Sequence, residues 1–314
     1  EIECWAVIYP FLCYYLIPYR GIKKVNLPSC IPTSMTVRIV TNCGAGSGEE
    51  ALGLAERGGR AGMAILEEGG SAVDAVVEAI VVLEDDPRTN AGLGSRLRLD
   101  GSLQMDASIM DSNMNCGCVA GIENVRNPIL VARKVMESPH IMFAGEGANL
   151  FAKKEGFEHF DPKTEESVKR LELVKKKLHE GDIPSWAGKW KDYHVGTVGA
   201  VAMDSQKKLA SGNSTGGTSF MLPGRIGDTP IIGAGIYCGS HGAISATGVG
   251  EEIVRRVLSL RIFDRMVEGL SAQEACEWGI SLFPEVIPVG VIALSQSDCA
   301  ACSNRKMAYW IGES

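Results

Sequence analysis

The stretch HVGTVGAVAMD, residues 194–204, gives the first indication of the fold. From Thr197 onward, apolar side chains occupy both alternating faces, so residues 197–203 are predicted to form a strand that is buried on both sides. A second strand is predicted at 208–214, close enough to form a hairpin with the first. A threonine that opens a strand is by itself an ordinary β-former. Local residues therefore do not distinguish Thr197 from a structural residue.

The remainder of the chain groups predicted strands with predicted helices. Further strands are predicted at 36–42, 96–99 (RLRL), 103–110 (LQMDASIM), 287–294 and 306–311. Helices are predicted at 49–68, 71–84, 127–138, 146–154, 162–180, 250–268 and 271–282, and residues 181–193 are predicted to be irregular. Grouped elements and doubly buried strands predict an α+β fold with helix layers outside packed sheets.

Composition limits the classes of partner. The chain has 314 residues and a net charge of −7. Because binding to phosphates or anionic membranes requires a basic face, we expect no nucleic-acid and no membrane partner. The uncharged segment 5–18 is shorter than the roughly 20 residues that span a bilayer. We interpret residues 1–34 as an upstream extension of uncertain status, with disorder or a membrane anchor as the alternatives.

The ten cysteines say more about the cellular compartment than about a metal site. Cys116 and Cys118 form a C-x-C pair, and Cys299 and Cys302 form a C-x-x-C pair, but the paired four-ligand spacing of a zinc site is missing. We interpret them as reduced thiols. A chain of this length needs no disulfides to hold a core, so a cytoplasmic location is expected.

Further motifs surround the 194–204 stretch in a fixed order. They are DPRTNAGLGS (86–95), MDASIMD (105–111), VAG (119–121), RNP (126–128), GEG (145–147), NSTGG (213–217), PGRIGDTP (223–230) and ATGVGE (246–251). Together they resemble the N-terminal nucleophile (Ntn) hydrolases of the plant-type asparaginase and isoaspartyl aminopeptidase family. The resemblance covers nearly everything from about residue 36 to the C-terminus, and residues 1–34 lie outside it.

This resemblance implies a fold and a maturation step. The fold would be a four-layer αββα sandwich formed by a single Ntn-hydrolase domain, 35–314. The chain would cleave itself into an α-chain ending at Gly196 and a β-chain beginning at Thr197, after attack of the Thr197 hydroxyl on the Gly196 carbonyl carbon. Glycine at position 196 leaves that attack unhindered by a side chain. His194 would leave with the α-chain and is interpreted as structural.

After cleavage, Thr197 would supply both the nucleophile and the base. A threonine hydroxyl is a weak nucleophile unless a neighbouring group takes its proton. A free α-amino group has a pKa of about 7.7–8.0, which suits a general base at neutral pH. No cofactor is expected for catalysis.

The resemblance also implies supporting roles for other residues. Thr215 would orient Thr197 by a hydrogen bond, and Asn90 would hold its amino group. The side chain of Thr247 and the backbone of Gly248 would form the oxyanion hole. Arg225 and Asp228 would bind the α-carboxylate and α-ammonium groups of the substrate, assisted by Gly248 and Gly250. A structural sodium ion would be held by backbone carbonyls of Leu83, Glu84, Asp86, Thr89, Ala91 and Leu93.

The substrate implied is a β-aspartyl (isoaspartyl) dipeptide, with L-asparagine as a second substrate, and L-aspartate as the product. Glycosylasparaginases and threonine aspartases of the same fold typically carry aspartate where this chain has Gly196. The glycine therefore favours the isoaspartyl aminopeptidase/asparaginase branch, and the other two activities are the alternatives. The assembly implied is a homodimer of αβ units.

Two observations leave other possibilities open. Asn42 and Cys43 stand where the family usually has H-G, which leaves the efficiency of self-cleavage open and keeps a non-cleaving pseudoenzyme as an alternative. The segment GAGSG (44–48) follows a strand and precedes a helix, as in nucleotide-binding loops. It lacks the G-K-[ST] of a P-loop and the full G-x-G-x-x-G pattern, so a nucleotide-binding module is disfavoured.

Overall fold

The computed structural model describes residues 36–179, 196–219 and 221–314, and within them strands and helices are mixed as the α+β prediction requires. The strands are β1 Arg38–Ala45, β2 Met105–Asp111, β3 Cys116–Ile122, β4 Met142–Ala144, β5 Val198–Met203, β6 Leu209–Thr215, β7 Ile236–Gly239, β8 Gly242–Gly248, β9 Val289–Leu294, β10 Cys299–Ser303 and β11 Met307–Glu313. The helices are α1 Leu52–Glu67, α2 Ala72–Glu84, α3 Pro128–Met136, α4 Glu146–Lys154, α5 Glu165–His179, α6 Gly250–Arg256, α7 Leu258–Val267 and α8 Ala272–Ser281.

These strands form two sheets. The first has seven strands in the order β11-β1-β5-β6-β2-β3-β4, and the second has four in the order β10-β9-β8-β7. Neighbouring strands are antiparallel except for β3 and β4. The central strand β5 is paired on one side with β1 and on the other with β6. The segment that follows Gly196 therefore enters the middle of the larger sheet.

The strand prediction around Thr197 is confirmed. All six residues of β5 are buried, and β5 and β6 form the predicted hairpin, with Val198 opposite Ser214. Val198 and Ala200 belong to the apolar cluster that includes the helix residue Ile80, whereas Val201 belongs to a different cluster. Because side chains alternate along a strand, β5 contacts apolar neighbours on both faces.

Three apolar clusters describe how the elements pack. The first joins the larger sheet to helices α1, α2 and α3, for example through Ile39, Ile80 and Ile129. The second joins the smaller sheet to α7 and α8, as in the packing of Ile244 and Ile262. A third contains strand residues of both sheets, including Val40, Val201 and Ile292. Burial of these side chains is the main stabilising contribution.

Helix α2 begins as the sequence predicts. Ser71 is its N-cap, and its side chain accepts a hydrogen bond from the backbone nitrogen of Asp74 at 3.1 Å. This bond satisfies a donor that would otherwise be unpaired in the first turn. Helices α1, α3, α4, α5 and α8 also match predicted segments.

Several predicted elements are wrong. Residues 96–99 form no strand, because the backbone nitrogen of Arg98 donates within a turn to the Ser102 carbonyl. The helix predicted at 250–268 is two helices, interrupted at Val257, whose φ of 47° is left-handed. Strand β1 continues to Ala45, three residues beyond its predicted end. The strands β3, β4, β7, β8 and β10 were not predicted.

The described residues belong to one compact unit, Met35–Ser314. Residues 1–34, the segment 181–193 and His194 lie outside the described residues, so the division into an extension and a domain stays a prediction. None of the helices described has the length and apolar character needed to cross a membrane.

Candidate active site

Thr197 lies where the two sheets approach each other. It directly precedes β5, and only 6% of its surface is exposed. Its backbone nitrogen donates a hydrogen bond to Oγ1 of Thr247 at 3.3 Å. Thr247 belongs to β8 of the smaller sheet, and its hydroxyl also accepts a bond from the backbone nitrogen of Ala45 at 3.3 Å. Two of the predicted site residues are thus brought together from different sheets.

Gly44 packs directly on the Gly196–Thr197 peptide. A Cβ atom at Gly44 would lie 2.4 Å from Cα of Gly196 and 3.1 Å from the nitrogen of Thr197. The backbone of Gly44 also has a φ of 103°, a conformation that glycine adopts without steric cost. The irregular end of β1 therefore supports the peptide bond that is predicted to break.

We expect Gly44→Ala to slow self-cleavage by about 100-fold, because a displacement of about 1 Å at reacting atoms has effects of that size. The appearance of two fragments over time on a denaturing gel measures this rate. Gly53→Ala is the matched control, since a Cβ at Gly53 meets nothing within 4 Å. Cleavage of Gly44→Ala at the rate of the unmodified chain would contradict this account of Gly44.

The two residues that depart from the family pattern do not point their reactive groups at the peptide bond. The side-chain oxygen of Asn42 accepts a hydrogen bond from the backbone nitrogen of Gly44 at 2.9 Å. The thiol of Cys43 lies 3.8 Å from the Ala51 carbonyl oxygen, and burial raises its pKa to about 12. Asn42 therefore stabilises the turn at Gly44, and Cys43 is a neutral thiol.

Asn90 lies beside Gly196, and Thr215 ends strand β6, the neighbour of β5. A Cβ at Gly196 would be 3.2 Å from Cβ of Asn90. The side-chain nitrogen of Asn90 donates to the carbonyl of Gly217, while its buried side-chain oxygen has no partner. The Thr215 hydroxyl accepts from the backbone nitrogen of Gly217 at 3.0 Å. The roles of both residues toward Thr197 stay predictions.

Gly248 ends β8 in a conformation that suits glycine. Its φ is 147°, and a Cβ there would lie 2.5 Å from the carbonyl oxygen of Pro288. The site thus requires an unsubstituted backbone immediately after Thr247. The backbone N–H of Gly248 therefore follows directly after the Thr247 hydroxyl. An oxyanion site with one donor from each residue would need this arrangement.

The predicted substrate-binding residues form a second group. A Cβ at Gly250 would lie 2.8 Å from a carboxylate oxygen of Asp228 and 3.0 Å from a guanidinium nitrogen of Arg225. Asp228 is 4% exposed, and one of its carboxylate oxygens has no hydrogen-bond partner. Burial raises the pKa of Asp228 to about 7. The three residues therefore lie close together at the start of α6.

Glu251 is a residue of this group that sequence reasoning missed. Its two carboxylate oxygens accept bonds from Nε and Nη2 of Arg225 at 2.9 and 2.8 Å. This contact is the two-pronged arrangement by which arginine binds a carboxylate. Glu251 is the last residue of the quoted motif ATGVGE, and an acidic residue there was the available signal.

Asp106 and Arg98 were also missed as members of the group. Both are fully buried. One oxygen of Asp106 accepts a bond from the backbone nitrogen of Gly121 at 2.7 Å. Burial raises the pKa of Asp106, and the charges of Arg98 and Arg225 oppose that shift. A buried group of alternating charges therefore lies behind the substrate-binding residues.

The loop before Asn90 gathers backbone carbonyls. The hydroxyl of Thr89 lies 2.7 Å from the carbonyl oxygen of Leu83, 3.1 Å from that of Asp86 and 3.5 Å from that of Ala91. A Cβ at Gly92 would lie 2.3 Å from the Glu84 carbonyl oxygen. Oxygen ligands of this kind suit a hard cation. In the part of the chain that the structure describes, no group of three or more His, Cys, Asp or Glu side chains could hold a metal ion.

A cavity opens on the Gly196 side of the peptide bond. Its volume is about 270 Å³, and it is lined by Cys43, Thr89, Asn90, Arg96 and Gly196, among others. Thr197 itself is almost fully buried. The cavity therefore gives access to Gly196, the last residue before Thr197.

Comparison with known proteins gives several matches over most of the chain. The model of the asparaginase family matches residues 46–312. The plant-type L-asparaginase of Pyrococcus abyssi is 48% identical over 221 residues, which cover 68% of this chain and 72% of that protein. The isoaspartyl peptidase of Escherichia coli is 43% identical over 223 residues, covering 69% and 70%. The isoaspartyl peptidase/L-asparaginase of Xenopus laevis is 42% identical over 254 residues, covering 77% and 80%.

Proposed function

This chain belongs to the asparaginase family, and from that premise we propose that it is an amide hydrolase that releases L-aspartate from β-aspartyl dipeptides and from L-asparagine. The nucleophile would be Thr197, freed by cleavage of the Gly196–Thr197 bond. The observation that carries this assignment is the contact between the backbone nitrogen of Thr197 and the hydroxyl of Thr247. This bond supports the proposal because the backbone nitrogen that would become the free amine lies beside a hydroxyl of the other sheet.

Maturation would begin with attack of the Thr197 hydroxyl on the carbonyl carbon of Gly196. The hydroxyl oxygen forms an ester as the C–N bond breaks, and the nitrogen takes up the proton. Water then hydrolyses the ester, which leaves a carboxylate on Gly196 and a free amine on Thr197. The close packing of Gly44 supports this step, because it restricts the movement of the scissile peptide.

Catalysis would use the same hydroxyl on the substrate. The free amine takes the hydroxyl proton, and the oxygen attacks the side-chain carbonyl of the aspartyl group. The Thr247 hydroxyl and the Gly248 backbone N–H stabilise the resulting oxyanion, each contributing about 3–4 kcal/mol. Asn90 and Thr215 hold the nucleophile in position. The leaving amine departs with a proton, and water releases aspartate from the acyl-enzyme.

Recognition of the aspartyl group would fall to the residues around Gly250. Arg225 binds the α-carboxylate and Asp228 binds the α-ammonium group. The missing side chain of Gly250 leaves room between these charges. Both substrates present the same aspartyl group and differ only in the amine that leaves. This shared group accounts for activity toward a dipeptide and toward asparagine at one site.

The test combines a gel with an assay of released aspartate. We expect the purified chain to break before Thr197, and to release aspartate from a β-aspartyl dipeptide and from L-asparagine. N4-glycosylated asparagine is the comparison substrate, because glycosylasparaginase is the alternative activity. Faster release from the glycosylated substrate would overturn the substrate assignment. A full-length chain that never breaks and releases no aspartate would instead support the pseudoenzyme alternative.

We also propose that the elements form a four-layer αββα sandwich. The cluster shared by both sheets supports an inner contact between them. The clusters that join the larger sheet to α1–α3 and the smaller sheet to α7 and α8 support two outer helix layers. In this arrangement Thr197 and Thr247 would face each other across the inner contact.

A structural sodium ion in the loop 83–93 is part of the proposal. The carbonyls of Leu83, Asp86 and Ala91 that gather around the Thr89 hydroxyl are compatible ligands. The ion would hold the loop that carries Asn90 and take no part in the chemistry. A homodimer of αβ units is proposed on the family resemblance, and a cytoplasmic location on the interpretation of the cysteines as reduced thiols.

A further inference from the structure

We propose that Cys276 and Cys302 are a redox-sensitive pair, which a peroxide converts into a disulfide that links helix α8 to strand β10. Cys276 lies within α8 and Cys302 within β10. The sulfur of Cys302 accepts a hydrogen bond from the side-chain nitrogen of Gln273 in α8 at 3.3 Å, and Cys276 lies one turn further along the same face of that helix. Both are free thiols in the structure. This inference is independent of the proposed hydrolase activity.

The C-x-x-C spacing in the sequence suggests a different pair, Cys299 with Cys302. The structure separates those two residues. Side chains three positions apart on a strand point to opposite faces. Cys299 accordingly packs against the cluster shared by the two sheets, whereas Cys302 packs against the cluster beneath α7 and α8. The neighbour of Cys302 is therefore Cys276, a residue of that second cluster.

The two thiols differ in the way that a reactive and a resolving cysteine differ. Cys302 is half-buried, and its sulfur accepts a hydrogen bond from the side-chain nitrogen of Gln273 at 3.3 Å. The neighbouring Cys276 thiol and the Gln273 amide lower the pKa of Cys302. Cys276 is fully buried, and its pKa is raised well above the usual value. A half-buried thiol of lowered pKa next to a buried thiol is typical of a redox-sensing pair.

Hydrogen peroxide supplies the oxidising equivalents. The Cys302 thiol loses its proton and its sulfur attacks one peroxide oxygen, so that an S–O bond forms, the O–O bond breaks and the departing hydroxide takes up that proton as water. The sulfur of Cys276 then attacks the sulfur of the Cys302 sulfenic acid. The S–S bond forms, the S–O bond breaks, and the departing hydroxide takes the Cys276 proton as a second water. Two thiols are oxidised and one peroxide is reduced.

The disulfide would stabilise the smaller sheet. It closes the chain between α8 and β10, and this reduces the conformational freedom of the unfolded chain. A loop of this length and a domain of this size correspond to a rise in melting temperature of about 5 °C. A reducing agent such as dithiothreitol should reverse the rise.

Peptide mapping after peroxide treatment tests the proposal on the full chain. No Lys or Arg lies between Arg265 and Arg305, so trypsin alone leaves all three cysteines in one peptide. Adding a protease that cuts after glutamate separates Cys276 from the other two, because cleavage at Glu274, Glu277 and Glu285 releases residues 275–277 from residues 286–305. We expect these two peptides to be joined by a bond that dithiothreitol breaks.

Three variants assign the bond. Cys299→Ala should retain the cross-link and the rise in melting temperature, whereas Cys302→Ala and Cys276→Ala should lose both. A cross-link that persists in Cys302→Ala would show that Cys299 is the partner and would overturn the proposal. The proposal would also be overturned if peroxide produced a sulfinic acid on Cys302 in the unmodified chain while Cys276 remained free to react with an alkylating agent.

Discussion

Thr197→Ala should remain a single uncut chain and should release no aspartate from either substrate. Without the hydroxyl there is no atom to attack Gly196, and without cleavage there is no free amine to act as a base. Loss of a catalytic nucleophile commonly lowers the rate by about 10⁴-fold or more. Intact mass after long incubation and an aspartate assay at high protein concentration are the measurements.

Thr197→Ser is the matched control, because it retains the hydroxyl and removes only a methyl group. We expect it to cut more slowly than the unmodified chain and to retain measurable hydrolysis. Cleavage before residue 197 in Thr197→Ala would show that a different group attacks the peptide. Hydrolysis by the uncut alanine variant would show that the active nucleophile lies elsewhere.

The sequence predicts the centre of the larger sheet well, because the local signals there are strong. Residues 197–203 carry apolar side chains at both alternating positions, and β5 is buried on both faces. Ser71 and Asp74 mark the start of α2, and the predicted cap is formed. In both cases a pattern of neighbouring residues determines the structure.

The smaller sheet was predicted only in part, because its strands lack those signals. The segment GAISATG of β8 is composed mainly of small residues, whose intrinsic preference for strands is low. It is extended because Thr247 and its neighbours pair with β9, for example with Gly290. Such pairing depends on residues far away in the chain, so a local pattern does not reveal it.

The candidate active site was likewise predicted only in part. The motifs identified Thr197, Thr247 and Arg225 as members of one site, and the structure brings the first two into contact. The ion pair between Arg225 and Glu251 depends on how the loop 223–230 lies against the first turn of α6. Spacing along the chain contains no information about that approach, and the contact was therefore missed.

Arg225→Met should lower kcat/KM for both substrates by about 100- to 1000-fold, chiefly through a higher KM. The guanidinium of Arg225 already holds a carboxylate with two hydrogen bonds, that of Glu251, so its position suits a substrate carboxylate. Loss of the hydrogen-bonded charge pair that Arg225 would form with the enclosed substrate carboxylate costs about 2–5 kcal/mol. The methionine would also leave Glu251 without its cation, and that negative charge would repel the incoming carboxylate.

Self-cleavage provides the internal check on this variant, because it needs no substrate carboxylate. We expect Arg225→Met to break before Thr197 at the normal rate, which separates a binding defect from a failure to mature. Arg225→Lys should recover part of the lost KM, since lysine keeps the charge but not the fork of donors. Arg256→Met is the matched control, because Arg256 pairs with Glu252 in the same helix and lies outside the proposed site. A normal KM with a reduced kcat in Arg225→Met would contradict a carboxylate-binding role, because the defect would then lie in the chemical step.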